Sequence, residues 1–293
     1  MIIRYGLINN SINVTNICIT KLSKNNIITI PQGDVNRAKY FTDPLIGVKK
    51  KIIIENEGNT TEHDDFTEIK INLLNKSIQV SDINDKIKYI QSKLKIKFGT
   101  FNEELPEQKM IARYLTGNEN VLEIGGNIGR SSLIISSILR NKSKNLVTLE
   151  SSLHISKQLE INRDLNNFKF HIENAALSNR KLIQKNWITK PSDVLEEGYT
   201  WVNTITLKNL KNKYNINFDT IVLDCEGAFY YILMDMPEIL NGINLIIMEN
   251  DYNEISHKNY IDDVLNKSKF NKIYSESGGW GPCYNNFFEV WKK

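Results

Sequence analysis

Acidic side chains that close short apolar runs are the residues of this chain whose types and spacing could do chemistry. Asp224 and Glu226 follow the run Thr220–Leu223, Glu249 closes Leu245–Met248, and Glu150 closes Leu146–Leu149. An acid so placed can accept a proton, orient a cationic group or hold a divalent ion through hard oxygens. Asp224, Glu249 and either Asn250 or Asp251 would form an oxygen set of that last kind. Such a set allows a divalent metal without requiring one, and no metal site is assigned. Each acid also has a plainer reading, as a partner for the positive end of the helix that follows.

A fifth acid, Glu123, opens the glycine-rich stretch Glu123–Gly129, EIGGNIG. Gly125 and Gly126 let the backbone turn sharply and let a ligand come close, because no Cβ intervenes. Gly129 permits tight packing where a helix over Ser131–Leu139 begins. A dinucleotide-binding G-x-G-x-x-G counted from Gly125 would need glycines where Asn127 and Arg130 stand. The loop therefore reads against NAD. An acid just before it suits a ligand carrying a positive amino group and a sulfonium. Glu150 lies about twenty residues past the loop, where an acid bonds ribose hydroxyls, and Ser151 adjoins it. After the run Phe168–Ile172 comes Glu173-Asn174-Ala175-Ala176. Asn174 and Ala175 either border an adenine ring or form a simple turn.

From Asn120 onward these residues sit in a regular alternation. The runs Val121–Ile124, Leu146–Leu149, Phe168–Ile172, Thr220–Leu223 and Leu245–Met248 suit central parallel strands, and helical stretches over Ser131–Leu139 and Ile155–Leu165 separate the first three. The pattern predicts an open parallel sheet with helices on both faces. Phe270–Tyr274 and Phe287–Trp291, around Gly278–Gly281, predict a closing hairpin. Trp280 and Tyr284 in that turn could stack on a sugar face or plug the sheet end. Of the four histidines only His257 lies downstream of the acidic rim, where it could serve as a base.

Residues 1–78 read differently. Asn13–Thr20, Ile27–Ile30, Lys51–Glu55 and Glu68–Leu73 are rich in Ile, Val and Thr and are separated by turn-formers. They predict a small antiparallel module without helices. Tyr40–Lys49, YFTDPLIGVK, resembles an F-x-D-P-x-x-G-x-x-K element of small β-modules attached to other proteins. Residues 79–105 read as a helical connector, with Ile83, Ile87, Ile90 and Leu94 on one face. A second helix follows, with Pro106 in its first turn and Met110, Ile111 and Tyr114 along one side.

With these blocks in view, residues from about Phe98 to the C-terminus resemble the FkbM family of methyltransferases. Val121–Leu133 (VLEIGGNIGRSSL), Glu173–Asn179 (ENAALSN) and Ile221–Leu233 (IVLDCEGAFYYIL) carry the resemblance. It implies an α/β, Rossmann-like class I methyltransferase fold over residues 106–293, with a mostly parallel seven-stranded sheet and a C-terminal antiparallel hairpin. It also implies S-adenosyl-L-methionine as methyl donor and an O-methyl product on a sugar, glycan or related small molecule. Donor contacts then fall to Glu123, Gly125, Gly126, Asn127, Gly129, Glu150, Ser151, Asn174, Ala175 and Asp224, and catalysis to Asp224, Glu226 and Glu249. The chain departs from the family signature at Val222, where a lysine is expected, and at Phe229, where a glutamate is expected. Both changes remove charge near the expected acceptor pocket. They support an alternative reading, a catalytically impaired S-adenosyl-binding domain whose β-module serves glycan binding or oligomerisation.

Bulk composition excludes little else. Of 293 residues, 41% are hydrophobic and 24% charged, as in ordinary globular chains, and the net charge of +3 is too small to argue for nucleic acid or a membrane. No apolar run approaches a bilayer's thickness, and the start MIIRYGLINNSIN lacks a signal-peptide core. Cys18, Cys225 and Cys283 are scattered, as expected of reduced thiols in a cytoplasmic protein. The N-x-S/T triplets at Asn13, Asn59, Asn75, Asn141 and Asn266 are what an Asn-rich chain contains by chance.

Overall fold

The computed structural model describes residues 1–139, 145–186 and 188–293, so the triplet at Asn141 lies outside the described residues. The chain divides into two compact units, Met1–Lys93 and Leu94–Lys293.

The first unit holds two four-stranded antiparallel sheets. One runs Asn10–Asn13, Ile2–Leu7, Lys51–Asn56, Asn59–His63, and the other Ser23–Lys24, Ile27–Ile30, Ile69–Asn72, Ile78–Val80. Alternate residues Ile3, Tyr5, Ile52, Ile54, Ile28, Ile30, Ile69 and Ile71 form one buried core with Val14, Cys18 and Phe41. The expectation of a helix-free module is corrected here. Asn13–Thr20, read as a strand from its alternation, is mostly the helix Thr15–Lys21, and a second helix spans Asp34–Phe41. Local hydrogen bonding overrides β-branching at the first of these. Asn13 Oδ1 accepts from Thr15 N at 3.0 Å and from Thr15 Oγ1 at 2.7 Å. Val14 and Cys18, four residues apart, then bury on one side.

The unit's charges are buried in company. The Lys50 ammonium lies 2.9 Å from Asp34 and 2.8 Å from Asp43, and donates to the carbonyls of Leu45 and Val48. The D-P-x-x-G-x-x-K stretch is thus closed on itself by its own lysine. The helix Ile83–Gln91 also belongs to this unit, capped by Asp82 and burying Ile87 and Ile90.

The second unit is built on a seven-stranded sheet whose strands we label β1 (Val121–Ile124), β2 (Leu146–Leu149), β3 (His171–Glu173), β4 (Thr220–Leu223), β5 (Leu245–Glu249), β6 (Asn271–Glu276) and β7 (Phe288–Lys292). Their order is β3-β2-β1-β4-β5-β7-β6. The first five are parallel, and β7 runs antiparallel to β5 and to β6. This is the α/β class expected, a Rossmann-like mostly parallel sheet with a closing hairpin. Strands β1, β2 and β4 are buried on both faces, as a parallel sheet between helices requires. Between β3 and β4 the chain adds a three-stranded antiparallel sheet, Leu182–Lys185, Ile188–Pro191 and Thr200–Val202, which the sequence reading did not contain.

Strand order reverses direction between β1 and β4. A doubly wound sheet leaves a crevice beyond the carboxyl ends of its strands at such a point. Register sharpens it here, because Ile124 pairs with Leu223 and both strands end level.

Candidate functional site

A cavity of about 500 Å³ opens at that crevice. Its wall includes Ile124, Gly125 and Asn127 after β1, Leu149, Glu150 and Ser151 after β2, Ala175 after β3, Asp224, Cys225 and Glu226 after β4, and Glu249 at the end of β5.

The β1 loop is shaped by contacts no other residue would allow. Gly125 has φ +90°, and a Cβ there would stand 1.5 Å from the Asp224 carbonyl oxygen. A Cβ on Gly126 would meet Thr148 Cγ2 at 2.2 Å, and one on Gly129 would meet Leu159 at 2.3 Å. Only the first of these glycines faces the cavity. The other two seat the loop and its following helix, Arg130–Ile138, against β2 and the helix Leu153–Leu165. The amides of Gly125 and Gly126 both donate to Leu149 O, at 3.1 and 2.9 Å.

Glu150 is held by two backbone amides. Its carboxylate accepts from Asn127 N at 2.9 Å and from Ser152 N at 2.7 Å, one bond to each oxygen. A carboxylate oxygen has two acceptor positions, so each keeps one for a ligand hydroxyl. Burial raises its pKa above the ordinary value, against the lowering pull of those amides. Asn127, at φ +45°, donates its side-chain amide to Glu104, which also takes Arg130 Nη1 at 2.6 Å.

Four of the expected contacts are not brought to the cavity wall. Glu123 points beneath the loop, 1% exposed, and accepts from Ser132 Oγ at 2.5 Å and Thr148 Oγ1 at 2.6 Å. Burial lifts its pKa to about 7. Its place on a strand covered on both faces turns it into the packing layer and away from the crevice. Gly126 and Gly129 act through packing, as above. Asn174 folds back and donates to the carbonyls of Glu150 and Ser151 at 2.9 and 3.2 Å, supporting that loop from behind.

The proposed metal set is likewise not assembled. Asn250 donates its side-chain amide to Asn286 O at 2.6 Å, Asp251 Oδ1 accepts from Gly227 N at 2.8 Å, and neither residue lines the wall to which Asp224 and Glu249 belong. Among the described residues no group of three or more His, Cys, Asp or Glu side chains is placed to hold a metal ion. His257 stacks on Tyr230 at 3.8 Å between ring centres and does not line the cavity; Trp280 and Tyr284 do not reach it either.

Val222 and Phe229 are core residues, 4% and 0% exposed, and neither borders the cavity. The two departures from the family signature therefore do not alter the lining of the cavity, contrary to the expectation. Val222 lies on the doubly covered strand β4, and Phe229 on the buried side of the helix Ala228–Asp235, so both positions are interior.

The sequence reading missed three contributors. Glu107 lies on the buried side of the helix Leu105–Tyr114 with Met110 and Ile111, and its carboxyl meets that of Glu249. An acid three and four residues ahead of two core positions was the available signal. Arg180 forms a two-pronged ion pair with Asp235, both bonds 2.5 Å, beneath the Tyr231 ring. Leu182, Gln184, Thr189 and Pro191 of the small sheet complete that outer wall.

Electrostatics unify the floor. Burial is the leading cause of raised pKa values at Glu107, Asp224, Cys225, Glu226, Glu249 and Asp251, and neighbouring carboxylates add to it at most of them. Glu249 is pushed up to about 11 and Asp251 to about 7. Among the described residues no Lys, Arg or His forms an ion pair with Glu107, Asp224, Glu226 or Glu249. The floor can thus take cations, exchange protons, or both.

No protein-family model matches the chain, and no curated protein matches it in sequence. Solved structures do resemble it. An O-methyltransferase from Bacillus cereus in complex with S-adenosylhomocysteine is 16% identical, with TM-score 0.40, covering 73% of this chain and 92% of that one. Fibrillarin from Aeropyrum pernix with natively bound S-adenosyl-L-methionine is 8% identical, with TM-score 0.42, covering 78% and 93%. Ribosomal protein L11 methylase from Lactobacillus delbrueckii subsp. bulgaricus is 12% identical, with TM-score 0.41, covering 68% and 81%.

Proposed function

We propose that this protein is an S-adenosyl-L-methionine-dependent methyltransferase that methylates a hydroxyl oxygen of a small-molecule or glycan acceptor. The observation that carries the reading is Glu150, fixed by two amides at the end of β2, facing the cavity beside the Gly125 loop. It offers one free acceptor position on each oxygen, which suits a pair of ribose hydroxyls. The residues fit the donor in other respects. Gly125 lets the β1 loop lie directly against the end of β4 on the cavity wall, Ala175 offers a small apolar edge for adenine, and the acidic floor matches a positive amino group and sulfonium.

When bound, the donor supplies a methyl group already activated by its sulfonium, so the protein's main task is alignment. Asp224, at the loop junction, is assigned to orient the donor's ammonium. Glu226 is the most open of the three acids proposed for catalysis and lies nearest bulk water. We assign it to take the acceptor's hydroxyl proton as the oxygen attacks the methyl carbon. Glu249 lines the floor between them, and its role is developed below. The impaired-enzyme alternative loses its ground, since Val222 and Phe229 are interior.

Calorimetric titration with S-adenosylmethionine, S-adenosylhomocysteine and NAD tests the reading. Micromolar binding of the first two and none of the third is expected. Absence of S-adenosyl binding would overturn it. Glu150→Ala should weaken donor binding about tenfold, the order of a lost charge-assisted pair of hydrogen bonds.

A further inference from the structure

The cavity contains more acid than the donor can use. S-adenosylmethionine carries two positive groups and one negative. Besides Glu150, assigned above to the ribose, four wall carboxyls, those of Glu107, Asp224, Glu226 and Glu249, have no cationic partner among the described residues. Even one acid for each positive group of the donor leaves two over.

Glu107 singles out where the surplus lies. It is 6% exposed, lines the cavity, and its Oε2 receives no hydrogen bond among the described residues. Its carboxyl meets that of Glu249. Two carboxyls in contact need a proton between them or a cation beside them. A buried polar group is otherwise satisfied in folded proteins, so a wall residue with a buried, unpartnered oxygen leaves the pair short of a partner that a ligand can supply.

We infer that the acceptor carries a cationic group, a protonated amine or a guanidinium, and that Glu107 and Glu249 receive it. The inference rests on the methyltransferase reading and names its substrate class. The cation displaces the proton held between the two carboxyls. Among the other wall acids Glu104 is committed to Arg130 and Asp235 to Arg180, while Asp224 and Glu226 carry the donor and hydroxyl roles assigned above. Cys225, whose thiol burial keeps protonated, contributes no charge.

The test uses the full chain saturated with sinefungin, an unreactive donor analogue that has an amine where the donor has its sulfonium. Titration with n-butylamine, n-butylguanidine and n-butanol then reads the acceptor half alone. Either cation should bind at least tenfold more tightly than the alcohol. The binding heat should vary between buffers of different ionisation enthalpy, reporting proton release. Glu107→Gln should lower amine affinity at least tenfold while sinefungin affinity stays within twofold, which also shows the variant is folded. Equal affinity for amine and alcohol would overturn the inference, as would amine binding unchanged in both Glu107→Gln and Glu249→Gln. Stoichiometric displacement of the amine by Mg²⁺ would overturn it too, by making the site a metal site. If sinefungin and S-adenosylhomocysteine fail to bind, the methyltransferase reading falls, and the same titration on the unloaded chain still decides whether the acids take a cation.

Discussion

In the first unit Asp64 and Asp43 lie beside Lys86 and Lys50; in the second, Asp224, Glu249 and Asp251 lie among other acids. Burial pushes each carboxyl upward, yet at Asp64 the field and hydrogen bond of Lys86 carry the pKa below its ordinary value. At Asp43 the hydrogen bond from Lys50 does the same. The lysine itself is pulled down by burial, but its bonds to Asp43 and Asp34 carry it above the ordinary value. No such counterweight acts on Asp224 or Glu249. The difference separates two uses of charge. Where a buried ion only holds a fold together, its partner is part of the fold. A partner left out of the fold is one the ligand must bring.

Removing a partner from the first unit should have the largest effect. Lys50→Met leaves Asp34 and Asp43 facing each other with no cation between them and should lower stability more than any other change considered below. Urea unfolding followed by circular dichroism reads it, and a loss below about 1 kcal/mol would mean the clamp contributes little. The second unit should respond in the opposite sense. Glu249→Gln removes an acid that lacks a partner, so it should stabilise the protein at pH 8 by roughly 1 kcal/mol, within the range typical of single substitutions.

The pH dependence follows from the same asymmetry. Glu123 and Asp251 titrate near 7 and Glu249 near 11 in the folded state, all above their unfolded values of about 4. The folded protein holds protons that the unfolded chain has released, so stability falls as pH rises from about 4 through 7 and beyond. Thermal melts between pH 5 and 8 should show a declining Tm, and Glu249→Gln should flatten the decline. A Tm that rises over that interval would contradict the assignment. The smallest effect concerns Glu226, held at φ +51°. Glu226→Gly should relieve that backbone and stabilise by about 0.5–1 kcal/mol, while slowing methyl transfer.

Most of the sheet was legible in the sequence, because central parallel strands are continuous apolar runs. Val121–Ile124, Leu146–Leu149 and Thr220–Leu223 were bounded correctly to the residue. The Gly125 loop, Glu150 and the acids after β4 and β5 were legible too, since strand ends are where such chemistry collects. What the sequence hid was direction. Glu123, Val222 and Phe229 belong to stretches of the right kind yet face the packing layer, and linear spacing does not separate two covered faces. Glu107 was hidden for a related reason, as an acid on the apolar side of a helix reads at first as a surface residue. The helix Thr15–Lys21 was hidden by alternation that the local Asn13–Thr15 hydrogen bonds overrode. The small sheet over 182–202 lay in polar sequence without clear periodicity.

The contact between Gly125 and Asp224 has a bearing on descent. With 1.5 Å between the Asp224 carbonyl oxygen and the place a Cβ would occupy, position 125 is closed to every side chain while the end of β4 stays where it is. Any residue at 224 presents the same carbonyl, so the constraint falls on Gly125 alone. In a family tree of this chain Gly125 should persist even where the residue at 224 changes.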